Sequence, residues 1–253
     1  MEQGLILPEL LPMGNSRIVS LVPSLSWYIQ DLIDHEGLIG VTKFCTPQAH
    51  KSLPKHMIGG TKTPDLKKII DLKPDLILAN KEENNKKDVE HLALHAPVYV
   101  SSVSDLNEMY QMMLEIGIMV NLPRAQFWIQ RIKELELDLK SIVRTSDKIQ
   151  ICYLIWRKPY MTVGGDTFIH HILEMAGFEN VFKNRTRYPE ISLTEIQNAG
   201  TQITFLSSEP YPFKPSNIAE FAPLRAELVD GKMFSWYGSY MEKSFSYLKA
   251  LNF

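Results

Sequence analysis

A near-repeat inside the chain constrains its fold more than any single motif does. Residues 65–82 read DLKKIIDLKPDLILANKE, residues 192–209 read SLTEIQNAGTQITFLSSE, and the two segments align without a gap. Each copy predicts a short helix, a turn, an apolar strand and a polar loop that carries a glutamate. Two such copies predict two similar α/β lobes, with a ligand-binding cleft between them. The alternative is that both halves share only the general pattern of α/β proteins.

A second pair of segments supports two lobes over one large domain. WYIQDLI, followed by Gly37, matches TFIHHIL, followed by Gly177. Apolar strands alternate with helices along both halves, which predicts a mostly parallel sheet in each. No Gly-rich or Ser-rich linker separates the halves, whereas residues 125–143 show one apolar helix face. We therefore predict an N-terminal lobe at 1–122, one long connecting helix at 123–144 and a C-terminal lobe at 145–253.

Composition and motifs exclude several classes of function. The 253 residues are 45% hydrophobic with a net charge of −2, which gives no general case for binding nucleic acid or an anionic membrane. The two cysteines lie far apart, so neither a disulfide framework nor a cysteine metal site is predicted. HExxH, Walker, GxGxxG and GxSxG motifs are all missing from the sequence. An enzyme on a two-lobed scaffold remains an alternative, but the chain offers no convincing acid–base pair or nucleophile, so we predict no catalytic residues.

The N-terminal residues bear on location. Glu2 and Glu9 are acidic, there is no basic segment before the apolar run, and Pro8 and Pro12 interrupt that run. These features are not those of a secretory signal. No later segment is long and apolar enough to span a bilayer. The sequence as written therefore predicts a cytoplasmic protein, or a periplasmic one if the N-terminus has been trimmed.

Two helix starts can be predicted in detail. Thr63 is expected to cap a helix whose first residue is Pro64, because proline lacks the N–H that a first helical position leaves unpaired. Ser24 or Ser26 is expected to cap the helix that follows the first strand of the N-terminal half.

Several segments resemble one family. RIVSLVPS, GVTKFC, GGTKTPDLKKIIDLKPDLILANKEEN, VGGDTFIHHILEMAGFENVF, SEPYPF and SWYGS are similar to class III substrate-binding proteins of ABC transporters, in the cobalamin-receptor branch. The resemblance runs from Arg17 to the C-terminus. It implies two α/β lobes joined by a long helix, no enzymatic activity, and no intrinsic cofactor or metal site. It also implies a corrinoid or ferric chelate as the ligand, held between the lobes, and an ABC permease as the partner.

Candidate ligand-binding residues follow from the parallel sheets, because ligands of open α/β sheets bind beyond the carboxyl ends of the strands. The aromatic rings there suit a large flat ligand, although several could instead close the cores of the lobes. The carboxylates of Glu82, Glu83 and Glu209 could accept hydrogen bonds from corrin amides or bind a cation; the alternative is that they only face solvent or a helix dipole. Trp156 also lies in one of these strand-end loops. The candidates are Ser24, Phe44, Thr61, Asn80, Glu82, Tyr160, Tyr188, Glu209, Tyr211, Trp236 and Tyr237.

The sequence departs from the family pattern at two kinds of position. Thr61 and Asn80 stand where the resemblance implies tryptophans, so the ligand is expected to be a different corrinoid or another chelate. Lys67 and Thr194 stand where it implies glutamates that dock the permease, and Lys67 would repel an arginine. Glu195 is a candidate substitute for the second acid. These changes favour an alternative function, a cytosolic sensor or interaction protein that has lost docking, unless the permease has compensating charges.

Overall fold

The computed structural model describes residues 4–6, 16–33, 37–48, 54, 56–143 and 148–251. These residues form two compact α/β units. Unit 1 takes its described residues from 1–103, 107–132 and 237–240, and unit 2 takes its own from 104–106, 133–236 and 241–253. The predicted two-lobed α/β architecture is confirmed.

Unit 1 is built on a six-stranded sheet in the order β1-β6-β5-β2-β3-β4. Its strands are β1 (Gly4–Ile6), β2 (Ile18–Ser20), β3 (Leu38–Val41), β4 (His56–Met57), β5 (Leu76–Asn80) and β6 (Val98–Ser101). All neighbours pair in parallel except β1, which runs antiparallel to β6. The helices that begin between or after these strands are α1 (Pro23–Leu32), α2 (Leu66–Asp71), α3 (Lys86–Leu92), α4 (Leu106–Val120) and α5 (Leu122–Ile142).

Unit 2 contains a second sheet, in the order β10-β8-β7-β11-β12, with β9 also paired to β7. Its strands are β7 (Ile149–Trp156), β8 (Tyr160–Thr162), β9 (Phe178–Asn180), β10 (Glu190–Ile191), β11 (Ile203–Ser207) and β12 (Arg225–Val229). Strands β7, β9, β11 and β12 are parallel, whereas β8 and β10 add antiparallel pairs. The helices are α6 (Phe168–Met175), α7 (Leu193–Asn198), α8 (Pro215–Ile218), α9 (Lys232–Ser235) and α10 (Met241–Ala250), with short 3₁₀ segments at Ala219–Phe221 and Gly238–Tyr240.

The internal repeat is real in three dimensions. Helices α2 and α7 have equal length and begin at aligned positions, and so do the central strands β5 and β11. Every residue of both strands is buried, because a parallel sheet is covered on its two faces. In β7, Cys152 and Leu154 face one core cluster, while Tyr153 stacks against Phe234 at a ring-centroid distance of 5.2 Å. These buried strands fix the edges from which the loops of the candidate site project.

The long helix predicted near 123–144 is α5, a single helix of 21 residues. Both predicted helix caps are wrong. The cap of α2 is Asp65, whose carboxylate accepts from the backbone N–H of Lys68 at 3.0 Å, so Thr63 and Pro64 precede the helix. The cap position of α1 is Val22, with no side-chain cap, and the Ser26 hydroxyl donates back to the Val22 carbonyl instead. No helix among the described residues is long and apolar enough to cross a membrane.

Candidate functional site

In unit 1 the parallel strands β2, β3, β4, β5 and β6 end at one edge of their sheet, and the candidate residues of this unit follow them. The most constrained is Asn80, the last residue of β5, which is 3% exposed. Its amide nitrogen donates to the carbonyl and hydroxyl of Ser101, both at 3.1 Å. Its amide oxygen accepts from the backbone N–H groups of Glu82 at 2.8 Å and Glu83 at 3.1 Å. Because these bonds use the donors and the acceptor of the amide, the side chain of Asn80 holds the loop in place. A direct contact between this side chain and a ligand stays a prediction.

A group of hydroxyls lies beside Asn80. The Tyr237 side chain is buried, and its phenol oxygen is 3.4 Å from the Ser101 hydroxyl. Burial raises the pKa of Tyr237, the nearby carboxylates of Glu83 and Glu82 add to the rise, and hydrogen bonds with Ser101 and Ser24 oppose it. Tyr237 is therefore a neutral hydroxyl at physiological pH. Ser24, Asn80 and Tyr237, which the sequence predicted separately, come together at this edge.

The loop after β5 carries two adjacent carboxylates. Glu82 is half-buried, and the Lys62 ammonium donates to its backbone carbonyl. Glu83 is exposed, yet the surrounding protein desolvates its carboxyl and raises its pKa; Lys62 opposes this rise and Glu82 reinforces it. Because desolvation disfavours the charged form, this carboxyl is harder to ionise than one in bulk water. The sequence identified both Glu82 and Glu83 as possible ligand contacts but could not tell which one is exposed, because side-chain direction in a loop has no period to follow.

Phe44 and Thr61 complete the predicted set in unit 1. Phe44 is 53% exposed, with the Lys43 ammonium 5.1 Å from its ring centroid. Thr61 is half-buried, and its carbonyl accepts from the Asn84 amide at 2.9 Å. The exposed ring of Phe44 is accessible to a ligand. The Thr61 carbonyl instead stabilises the loop through its hydrogen bond with Asn84.

In unit 2 the parallel strands likewise end at one edge, where Glu209 and Trp236 form a hydrogen-bonded pair. One carboxylate oxygen of Glu209 accepts from the Trp236 indole N–H at 3.0 Å and from the Ser235 hydroxyl at 3.2 Å. The Lys232 ammonium lies 4.9 Å from the Trp236 ring centroid. Desolvation raises the pKa of Glu209; Lys232 and the two hydrogen bonds oppose the rise, and Asp230 adds to it.

A glycine is required next to this pair. A Cβ at Gly231 would lie 2.3 Å from the Ser207 hydroxyl and 2.7 Å from the Cγ of Glu209. Any side chain there would displace the loop after β11. The backbone N–H of Gly231 also donates to the Ser208 hydroxyl at 3.0 Å, which ties the end of β12 to that loop.

Aromatic and charged residues surround the end of β7. The Trp156 ring is 41% exposed and meets the Tyr211 ring edge-on, with centroids 5.8 Å apart. The Tyr160 hydroxyl donates to Glu220 at 2.8 Å, and so does Arg157 at 2.9 Å, so Tyr160 belongs to a polar network at this point. The Arg157 guanidinium is the largest reason that the pKa of Glu220 falls to about 2. The sequence placed Trp156 and Tyr160 in this strand-end loop, but the pairing of Arg157 and Tyr160 with Glu220 follows no repeat or motif and could not be predicted.

Tyr188 is the remaining predicted aromatic residue of unit 2. It is half-buried, in the segment between β9 and β10, with the Arg187 guanidinium 5.8 Å from its ring centroid. Its ligand role stays a prediction. Among the described residues no group of three or more His, Cys, Asp or Glu side chains could hold a metal ion.

The two predicted docking positions are both on the surface. Lys67, in α2, is 86% exposed along its side chain and pairs with Asp71 at 2.7 Å. Thr194, in α7, is exposed. Glu195, the candidate substitute, is engaged: it accepts from the Ser192 backbone N–H at 2.8 Å and pairs with Arg185 at 2.6 Å. The Arg185 bond and those from Ser192 lower the pKa of Glu195 to about 2.

Comparison with protein families gives one match, the model described as "Periplasmic binding protein", over residues 18–223. Among curated proteins, the vitamin B12-binding protein of Vibrio parahaemolyticus is 28% identical over 145 residues, which cover 56% of this chain and 53% of that protein. The chain thus matches about half the length of this relative.

Solved structures extend the likeness over nearly the whole chain. The periplasmic vitamin B12 binding protein of Vibrio cholerae has a TM-score of 0.77 at 22% identity, and the match covers 94% of this chain and 98% of that one. A periplasmic heme binding protein from Pseudomonas aeruginosa has a TM-score of 0.79 at 19% identity, with 93% and 91% covered. At these identities the structures show a shared fold.

Proposed function

Because this chain belongs to the periplasmic binding protein family, whose members are non-enzymatic solute-binding proteins, we propose that it binds a corrinoid. Contacts would come from the loops at the carboxyl ends of its two sheets. The relatives bear the names of vitamin B12-binding and heme-binding proteins, which supports a large metal-containing macrocycle as the ligand class.

The observation that carries the proposal is the set of rings at the carboxyl end of the sheet in unit 2. Trp156 and Tyr211 form an edge-on pair with an exposed indole, and the buried Trp236, held by Glu209, supports the loop that carries Tyr211. Flat apolar faces with a few fixed polar groups suit a macrocycle that has amides at its periphery.

Pre-organisation supports binding further. Asn80 closes the loop after β5 with hydrogen bonds from both ends of its amide, and the Glu209–Trp236 bond is formed without a ligand. Side chains that are already ordered lose little conformational entropy on association. We therefore expect tight binding with little change of structure within either unit.

The test is a tryptophan-fluorescence titration of the purified protein with dicyanocobinamide, cyanocobalamin, haem and ferrichrome, corrected for ligand absorbance. We expect saturable one-to-one quenching at micromolar concentration or below by a corrinoid. Trp156→Phe should remove a large part of the signal. Trp128→Phe, in the part of α5 that belongs to unit 1, is the matched control and should leave the corrinoid quenching in place. Saturation by none of the four ligands would contradict the proposal.

A second candidate function is a sensor or interaction role without transport. It is favoured by Lys67, an exposed cation where a docking acid is expected, and by the engagement of Glu195 with Arg185. The corresponding experiment measures ATP hydrolysis by a vitamin B12 ABC transporter in liposomes. Loss of docking predicts no stimulation by the wild-type protein and stimulation by the Lys67→Glu, Thr194→Glu double variant. Equal stimulation by both proteins would reject this candidate.

A further inference from the structure

Each unit presents one carboxylate whose hydrogen-bonding capacity the protein does not use. In unit 1 this is Glu83. Its backbone N–H bonds to Asn80, but neither oxygen of its carboxylate has a hydrogen-bond partner, or a cation within 4 Å, among the residues that the structure describes. Its side chain is exposed. The loop geometry therefore holds the backbone of Glu83 in place and leaves its charge facing outward.

The corresponding group in unit 2 is Glu209. Its Oε1 accepts from Trp236 and Ser235, whereas Oε2 has no partner within the described part of the chain. Oε2 is not one of the buried atoms that lack a partner, so it reaches solvent. The bonds to Oε1 fix the carboxylate and leave its second oxygen able to accept a further hydrogen bond.

Both carboxylates lie among other charged groups. Lys62 lowers the pKa of Glu83 and the neighbouring Glu82 raises it. Around Glu209, Lys232, which is held over the Trp236 ring, lowers the pKa and Asp230 raises it. Arg157 pairs with Glu220. Desolvation is the largest influence on both carboxyls, so the surrounding protein screens charge there less than bulk water does.

Building on the proposed corrinoid binding, we infer that Glu83 and Glu209 determine specificity, by favouring chelates whose periphery presents N–H donors and rejecting those whose periphery carries carboxylates. A carboxylate accepts hydrogen bonds from amide N–H groups and donates none at neutral pH. An amide-bearing macrocycle would satisfy the unused oxygens, whereas an acid-bearing one would bring like charges together and leave those oxygens unpaired.

The test uses two corrinoids of one ring system that differ in their side chains. Dicyanocobinamide carries amides, and dicyanocobyrinic acid carries carboxylates. Dissociation constants at pH 7.5 should favour the amide ligand by about a hundredfold, and Glu83→Gln and Glu209→Gln should each reduce this ratio about tenfold, which corresponds to about 1.4 kcal/mol. The matched controls are Glu90→Gln, on the exposed face of α3, and Glu227→Gln, which pairs with Arg225 on β12. Both controls should keep the wild-type ratio, and circular dichroism should show all variants folded.

Lower pH provides an independent readout. Desolvation raises the pKa of both Glu83 and Glu209, so they take up protons at higher pH than ordinary carboxyls do. The ratio of the two dissociation constants should therefore fall more in the wild type than in the Glu83→Gln, Glu209→Gln double variant when the pH is lowered from 7.5 to 5. The double variant corrects for protonation of the ligand itself.

The outcomes separate the two proposals. If dicyanocobinamide binds but the ratio is the same in the wild type and in both glutamine variants, the inference is wrong and corrinoid binding stands. If the wild type binds neither corrinoid, both fail. If the single variants lose the preference while the controls keep it, Glu83 and Glu209 are the specificity residues.

Discussion

The two copies of the internal repeat share a frame and differ in what they present. Asp65 and Ser192 occupy aligned positions, and each caps its helix by accepting from the backbone N–H three residues later. Lys73 and Gly200 are also aligned, and both have positive φ, of 47° and 74°. The caps and turn are thus preserved although the side chains differ, because helix, turn and buried strand must meet at the same angles in both units.

Beyond the strands the copies diverge. After β5 the loop is closed by the amide of Asn80, and Asn84 joins it to Thr61. After β11 a smaller group, the Ser207 hydroxyl, does the same work by donating to the Glu209 carbonyl at 2.6 Å. The comparison teaches that burial constrains the helix, turn and strand of each copy, whereas the sequences of the loops after the strands can vary. Loops of this kind carry the specificity of a binding protein.

The largest expected difference between the copies is the loss in the free energy of unfolding when the residue that closes each loop is replaced by alanine. Asn80→Ala should lower the free energy of unfolding by about 2–3 kcal/mol, because it leaves buried partners in Ser101 and the loop unpaired. Ser207→Ala should cost less, about 1–2 kcal/mol, since of its partners only the Tyr153 hydroxyl is buried, whereas the Glu209 backbone groups are part-buried. Urea unfolding at constant pH measures both.

The control for this comparison is Asn85→Ala. Asn85 is exposed in the same loop and donates to the Lys62 carbonyl at 2.7 Å, so its loss should change the free energy of unfolding by less than about 0.5 kcal/mol. If Ser207→Ala proved as costly as Asn80→Ala, the two loops would have to be regarded as equally closed.

A smaller difference is expected at the turn. Positive φ is unfavourable for a residue with a Cβ, so Lys73→Gly should stabilise the protein by up to about 1 kcal/mol. Gly200→Ala should destabilise it by a similar amount, and the cause would be backbone strain, because the added Cβ would meet only the Gln150 side chain, at 3.1 Å. Thermal unfolding of the two variants should shift the melting temperature in opposite directions. Shifts in the same direction would show that the two turns are not equivalent.

Burial and period explain how much the sequence could predict. The repeat, the strands from Leu76 and Ile203, and the long helix follow from apolar spacing, and the structure confirms them. The cap of α2 could not be chosen from Thr63-Pro64-Asp65, because all three residues are common at helix starts. The sequence could place Glu83 and Trp156 in strand-end loops but not the direction of their side chains, because loop side chains take their direction from distant partners such as Asn80 and Tyr211, which become neighbours only after folding.

The smallest effect tests the surface beside α7, and it depends on pH. The Glu195 carboxyl has its pKa lowered to about 2 by Arg185 and Ser192. A carboxyl whose pKa is lower in the folded than in the unfolded protein stabilises the fold above its unfolded pKa of about 4.3, and this contribution is lost as the pH falls towards 2. Glu195→Gln should therefore be less stable than the wild type at pH 7, with the difference shrinking between about pH 4.5 and 2. The midpoints of urea unfolding across this pH range measure the difference in stability. The aligned residue of the first copy, Lys68 of α2, provides the comparison, because it donates to the Met57 carbonyl, a partner that does not titrate. If the difference in stability between the wild type and Glu195→Gln stayed constant down to pH 2, the Arg185–Glu195 ion pair would contribute nothing to the stability of the fold.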